Sequence, residues 1–286
     1  VTRERLAGYP LVIVPEGFPL ENGRPKVLEE YVSKGGRLIF EGADGEQLAP
    51  VAGLLGISES ISASESLTAC YWQFEPEGAP LRGEEFQETP LLPHRGRTAY
   101  CKPLPGTAIL ATLVPPFAPL NSVGAPPERA SMLVEHTELP LCLYRQEGKG
   151  AALTLTFMLG RLMGEFRLAE HSRLGRNLVR FMLGEKQTFD MKPVNGLEAV
   201  CYEKGRDILV HLLNGVGQRP LMDTIEYHGA KFSVRLPKGS RAEEVELKLS
   251  GEEPLWKQEG ERLTVEVPRL SYWDMVKITL AKRGAE

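Results

Sequence analysis

The side chains able to do more than pack are four cysteines, two carboxylates placed after buried strands and a small set of aromatics. Their spacing limits the chemistry open to each. Cys70, Cys101, Cys142 and Cys201 lie far apart, with no C-x-x-C pair and no histidine at metal-ligand spacing. Neither a redox dithiol nor a metal site is encoded by such spacing. A thiol nucleophile on a strained strand-to-helix elbow needs flanking glycines and helix-terminal N–H groups to hold the thiolate. Cys70 sits in Ala69-Cys70-Tyr71-Trp72 without a glycine beside it, Cys101 and Cys142 fall inside strand-like runs, and no His-x-Glu pair follows as a base. Scattered reduced thiols are expected, as in a cytoplasmic protein, with no catalytic residue, metal or cofactor.

Glu16 and Asp44 each follow a run that reads as a buried parallel strand. The carboxyl ends of such strands are where ligand crevices form in open α/β sheets. Both are therefore candidates for a cleft or an interface, with a solvated loop position as the plainer alternative. Gly148-Lys149-Gly150 superficially suggests a phosphate loop. It lacks the full glycine spacing and the following Ser or Thr, and it joins two strands, so a hairpin turn is the better reading. Trp72 with Tyr71, and Trp256 and Trp273 with Tyr272, are candidate sugar contacts, because aromatic faces cover sugar C–H groups well; burial in the core is the competing reading. His211 and Asn214 close a strand, where an Asn before Gly is a turn former and a lone histidine is a structural residue.

The elements that must position these residues begin with Tyr9 to Gly45. Leu11 to Val14 is a short apolar run ended by Pro15, as expected of a strand buried on both faces. Pro25 suits the first turn of a helix, Val27, Leu28, Tyr31 and Val32 form one apolar stripe, and Gly35-Gly36 stops the helix before a second buried strand at Arg37 to Glu41. A strand, helix, strand order makes the two strands parallel, with a right-handed crossover. A short helix is expected within Leu48 to Ile57, a loop at Ser58 to Glu65 and an exposed Pro/Gly/Glu-rich stretch at Glu75 to Pro93. Strands are expected at Leu67 to Phe74, Thr98 to Lys102, Thr107 to Leu113, Leu141 to Arg145 and Ala151 to Phe157. Pro115 to Arg129 reads as a surface loop, and Leu168 to Leu183 as a helix stopped by Gly184.

Composition bounds the possibilities. The chain has 286 residues, 42% apolar and 25% charged, in the range of an ordinary soluble globular protein. Its 29 glycines and 22 prolines imply many turns and substantial β content. A formal net charge of -4 offers no general attraction to nucleic acid or anionic lipid. The longest apolar run, Ala151 to Gly160, is far short of the ~20 residues of a membrane helix. The first residues, Val1-Thr2-Arg3-Glu4-Arg5, carry neither an initiator methionine nor a secretion signal, and the chain is expected to be part of a longer polypeptide.

After Glu185 to Asp190 the hydrophobic period changes to two. Glu198 to Glu203, Asp207 to Leu213, Lys231 to Leu236, Ala242 to Leu249, Arg262 to Val267 and Trp273 to Leu280 read as strands separated by Gly, Asn and Pro turns. About 100 residues of short strands predict an antiparallel β-sandwich. The expected organisation is an α/β domain with an open parallel, flavodoxin-like sheet over residues 1–187, possessing no nucleophile, followed by an all-β sandwich over 188–286.

Two patterns carry a resemblance. Tyr9-Pro10-Leu11-Val12-Ile13-Val14-Pro15, with Leu28 to Ile39 (LEEYVSKGGRLI), Glu147-Gly148-Lys149-Gly150 and the helix ending Leu178-Val179-Arg180-Phe181-Met182, resembles the class I glutamine amidotransferase-like domain of glycoside hydrolases. It is best known as the trimerisation domain of family 42 β-galactosidases. Leu209-Val210-His211-Leu212-Leu213-Asn214, Val234-Arg235-Leu236-Pro237 and Val265 to Tyr272 (VEVPRLSY) are similar to the C-terminal β-sandwich of the same hydrolases, including relatives of the α-L-fucosidases. In those proteins the domain follows a catalytic (β/α)8 barrel and has lost its nucleophile. The resemblance implies a non-catalytic accessory or oligomerisation region, with an upstream barrel and further copies of the chain as partners. It also implies a sheet whose first strand lies upstream of Tyr9. A carbohydrate-binding module and an independent amidotransferase-like hydrolase are the rival readings.

Overall fold

The computed structural model describes residues 2–63, 67–83, 85–88, 91–115, 137–217, 223 and 225–281. The loop expected from Pro115 to Arg129 falls almost wholly outside them. Among the described residues no helix is long and apolar enough to cross a membrane. The chain divides into two compact units, residues 1–184 and 185–286.

The first unit opens with helix α1 (Arg3–Ala7), then β1 (Leu11–Val14), α2 (Arg24–Ser33) and β2 (Arg37–Glu41), the last three in the order the sequence predicts. Two glycines at positive φ, Gly23 at 77° and Gly35 at 112°, bracket α2. Tyr31 projects its hydroxyl from α2 to within hydrogen-bonding distance of the carbonyls of Tyr9 (2.9 Å) and Arg37 (3.2 Å), fixing the helix over the starts of both strands. Next come α3 (Gly45–Leu48), a 3-10 turn and α4 (Ala52–Leu55). These are followed by β3 (Ile57–Ala63), β4 (Leu67–Phe74), α5 (Ala79–Arg82), β5 (Leu91–Gly96), β6 (Ala99–Pro103) and β7 (Ala108–Val114). The unit ends with β8 (Pro140–Glu147), β9 (Gly150–Leu155), α6 (Leu159–Glu165) and α7 (Ala169–Leu183).

Seven strands form one open sheet in the order β1-β2-β9-β8-β7-β4-β5, and β3 pairs with β6 in a separate ladder. The sheet is parallel from β1 through β9 and antiparallel beyond it. Alternate residues serve opposite cores. Leu38, Phe40, Leu143 and Ala152 pack under α2 to α4, whereas Ile39, Cys142, Leu153 and Leu155 pack with Leu174, Leu178 and Met182 of α7. Apolar residues on both faces are what make these strands read as unbroken hydrophobic runs.

Three expectations are corrected. Ser58 to Glu65, expected as a loop, is mostly β3; its residues are almost all exposed and polar, so no apolar alternation announces the strand. The stretch from Glu75 to Pro93, expected to be exposed, buries Leu81 and Phe86 completely and contains α5 and the start of β5. Trp72, a candidate sugar contact, is 1% exposed and packs edge-on against Phe74 and Phe157, so its ring has no face to offer a ligand.

The second unit contains β10 (Phe189–Met191), β11 (Leu197–Lys204), β12 (Asp207–Asn214), β13 (Tyr227–Arg235), β14 (Ala242–Leu247), β15 (Leu255–Glu259), β16 (Arg262–Leu270) and β17 (Trp273–Leu280). They make two four-stranded antiparallel sheets, β10-β13-β16-β15 and β11-β12-β17-β14, around one core that includes Val210, Leu212, Phe232, Val265 and Ile278. Two buried polar side chains pin its turns. Asn214 directs Nδ2 at the carbonyls of Ile225, Leu270 and Ser271 while its Oδ1 accepts from the Val216 N–H. Asp274 accepts from the backbone N–H groups of Leu249, Ser250 and Met275 and from the Ser250 hydroxyl.

Gly148-Lys149-Gly150 is a hairpin between β8 and β9, with Gly148 at φ 58°. The Lys149 N–H donates to Ser33 O at 3.0 Å, and a Cβ on Gly150 would run into the carbonyl oxygens of Val32 and Gly36. The glycines therefore let the hairpin seat against the end of α2. Replacing Gly150 with Ala should cost about 2 kcal/mol or more, read as a drop in melting temperature of about 5 °C or more. A Gly106→Ala control, where no atom stands near the added methyl but φ is 80°, isolates the backbone-strain part of that loss.

Candidate functional site

The carboxyl ends of the parallel strands hold the first cluster. Glu41 is the last residue of β2, and its Oε2 accepts from the Gly160 N–H at 3.2 Å, at the start of α6. Burial raises the Glu41 carboxyl above its ordinary range; the Gly160 hydrogen bond acts in the opposite sense, and the nearby Glu16 carboxylate raises it further. Glu16 Oε2 is itself shut off from solvent with no hydrogen-bond partner among the described residues. The predicted Glu16 is thus brought together with Glu41, a residue the sequence reading passed over because it closes an apolar strand. Asp44 does a different job. Its Oδ1 caps α3 through the Glu46 N–H (3.0 Å), and its Oδ2 pairs with Arg97 at 3.2 Å. A carboxylate already engaged as a helix cap and an ion-pair partner is a structural group first.

The thiols come next. Cys70, Cys101 and Cys142 are buried and Cys201 lies on exposed edge strand β11, none of them in a disulfide. Pairing of β4 with β5 puts Cys70 directly across from His94, a juxtaposition invisible at a separation of 24 residues. Burial drives the two groups away from reactivity. The Cys70 thiol is pushed up to about 11, and His94 is pulled down to about 4, by burial first and by His171 second. A catalytic couple needs the thiolate and imidazolium favoured, and here both ionised forms are disfavoured. Burial likewise raises Cys101 to about 11 and raises Cys142. His94 is 1% exposed and its Nε2 lies 2.7 Å from Thr98 Oγ1; His171 Nε2 lies 2.8 Å from the Pro93 carbonyl. Both histidines serve the packing of β5 against α7.

The aromatic candidates separate. Trp256 is half-exposed on β15, across from the core residue Val265, whereas Trp273 lies on β17 in the other sheet, across from the exposed Leu213. They form no common platform. Trp273 instead stacks on His211, with centroids 5.7 Å apart and planes at 7°, and Tyr202 meets His211 edge-on at 5.8 Å. The ring of His211, expected to be a satisfied structural residue, has no hydrogen bond among the described residues and belongs to this ring group. A further open groove of about 660 Å³ in the first unit is lined by Glu75, Glu138, Thr112, Thr137 and Ile109, with Thr112 Oγ1 donating to Glu75 at 2.5 Å. Among the described residues no cluster of histidine, cysteine and carboxylate side chains could hold a metal.

No protein-family model matches the sequence, and no curated protein matches it. Solved structures do match in fold. The α-L-fucosidase isoenzyme 2 from Paenibacillus thiaminolyticus superposes with a TM-score of 0.71 at 15% identity, over 96% of this chain and 41% of the fucosidase. A cold-adapted β-galactosidase from Rahnella sp. R3 matches with a TM-score of 0.55 at 17% identity, over 96% of this chain and 33% of that one. The GH42 β-galactosidase Gan42B matches with a TM-score of 0.55 at 14% identity, over 99% of this chain and 33% of its own. These three structural neighbours are glycoside hydrolases, and this chain spans well under half the length of each.

Burial of His94 makes stability depend on pH. Its value falls from 6.5 in the unfolded chain to about 4 in the fold, so between those limits the unfolded chain binds more protons. The stabilising contribution is complete above pH 6.5, shrinks as pH falls through that window, and is gone below pH 4; at full size it is about 3 kcal/mol. Urea unfolding at pH 7.5 and pH 4.5 should show this loss, and His94→Gln should flatten it. Alkylation with iodoacetamide at pH 8 should modify Cys201 in the native protein and Cys70, Cys101 and Cys142 only after unfolding.

Proposed function

We propose that the chain is a non-catalytic accessory region of a glycoside-hydrolase-related protein. The observation that carries this reading is the match of both units, over 96% of the chain, to 41% of one α-L-fucosidase. The α/β unit would mediate self-association or wall a substrate cleft, the sandwich would brace it, and the catalytic carboxylates would come from an upstream barrel. The inert Cys70 and His94 pairing supports the same reading against an amidotransferase-like hydrolase, because that chemistry needs an accessible thiolate. Three buried cysteines outside any disulfide suit a reducing cytoplasm.

The test is direct. The isolated chain should not hydrolyse 4-nitrophenyl α-L-fucoside or β-D-galactoside above the buffer rate, and should sediment as a self-associated species at micromolar concentration. Hydrolysis that disappears in Glu41→Gln would overturn the accessory role. A monomer at every concentration would remove the assembly function.

A further inference from the structure

We infer that the outer face of the sheet formed by β11, β12 and β17 binds an uncharged saccharide, with Tyr202, His211 and Trp273 as its platform. This inference rests on the glycoside-hydrolase-related reading for its ligand class, and on the sandwich itself for its place.

The face departs from the usual rule for an antiparallel sandwich. Inner positions of β12 and β17 are fully buried, with Ile208, Val210, Leu212, Val276 and Ile278 between 0 and 2% exposed. Outer positions of such a sheet are ordinarily polar. Here cross-strand pairing lines up Val200 with His211 and Met275, and Leu213 with Trp273. Val200, Tyr202, Leu213 and Trp273 are 40 to 57% exposed. None of the four is needed for the core, which is complete beneath them.

Three properties select the ligand. The first is ring geometry: Tyr202, His211 and Trp273 come from three neighbouring strands at nearly even centroid spacings of 5.8 and 5.7 Å. Aromatic rings suit the C–H faces of a pyranose, and the Tyr202 hydroxyl and His211 ring nitrogens, unbonded among the described residues, suit its hydroxyl groups. The second is charge. Lys277 pairs with Asp207 at 3.6 Å and Lys248 with Glu246 at 2.8 Å, and Glu198 and Lys204 at the two ends of β11 carry opposite charges, so the charges around the rings balance and the face complements a neutral ligand better than an anion or a cation. The third is size. With ~150–250 Å² for a whole aromatic side chain, the exposed apolar part of the face comes to roughly 400 Å². The face fits a short oligosaccharide; a standard protein interface takes about 800 Å² from each partner, roughly 450 Å² of it apolar, so self-association of the Trp273→Ala variant is the readout that separates a sugar from a second copy.

Titration calorimetry and tryptophan fluorescence on the whole chain, with neutral di- to tetrasaccharides of glucose, galactose, mannose and fucose, test this. Saturable binding to at least one sugar is expected, weakened tenfold or more by Trp273→Ala and unchanged by Trp256→Ala on the other sheet. Tyr202→Ala, at an exposed edge-strand position, replaces Trp273→Ala if the latter does not fold. Flat titrations across the panel, or equal binding by wild type and Trp273→Ala, would overturn the inference. So would a change in self-association on Trp273→Ala, which would mark the face as a protein contact. Flat titrations with no glycoside turnover would remove the platform and leave the accessory reading standing, whereas Glu41-dependent turnover would remove the latter alone.

Discussion

Strands β2 and β9 lie side by side at the heart of the first unit, and every residue along them must be screened from water on one face or the other. That requirement dictates the order of everything attached to them. Cover for one face comes from α2, α3 and α4; cover for the other comes from α6 and α7. The cover sits close because the chain is small where it must be. Ala151 and Ala152 leave room on opposite faces of β9, and Gly148 and Gly150 let the hairpin touch the end of α2. A methyl group at Gly150 would meet two carbonyls that the helix end cannot move without giving up its own hydrogen bonds. Tyr31 completes the joint by offering its hydroxyl to both strand starts.

The same enclosure decides what chemistry survives inside. Desolvation favours whichever protonation state is uncharged. It raises the thiols and lowers His94, so a cysteine and a histidine that the ladder brings face to face remain a neutral packing pair. Chemistry is left to less enclosed places: the half-buried strand-end carboxylates Glu16 and Glu41, the acidic groove along β7, and the outside of the sandwich.

What the sequence revealed, and what it hid, follows from how each element is stabilised. Arg37 to Glu41 was legible because burial on both faces writes a continuous apolar run, and the turn glycines mark the helix before it; Leu11 to Val14 writes a similar run, yet it is the edge strand of the sheet and leaves Ile13 exposed, so it is not buried on both faces as expected. The strands β12, β16 and β17 were legible because one buried face writes a period of two. By contrast, β3 is held by its backbone ladder to β6 with hardly a buried side chain, and β15 carries Leu255 and Trp256 on an exposed edge, so neither prints a pattern. Leu81 and Phe86 were hidden in a Pro/Gly/Glu-rich stretch whose composition speaks of exposure, while their burial is supplied by α7 from far along the chain. At the candidate sites, local context identified Glu16, but only the sheet register could join it to Glu41, or set His211 beside Trp273.

The polar residues of the sandwich show how to separate structural side chains from available ones. Asn214 and Asp274 sit at turns with essentially every polar atom committed to backbone groups, and so their burial is explained by the fold alone. His211 and Tyr202 are as regularly placed, yet their polar atoms have no partner among the described residues and their rings lie on the water side of a core that is already closed. Removing Asn214 or Asp274 would leave backbone donors or acceptors buried and unpaired, whereas removing an outer-face ring would leave only water contact in its place. A fold that needs the first pair and tolerates loss of the second has its spare chemical capacity on that outer face. The physical contrast lies in commitment of hydrogen bonds, not in residue type.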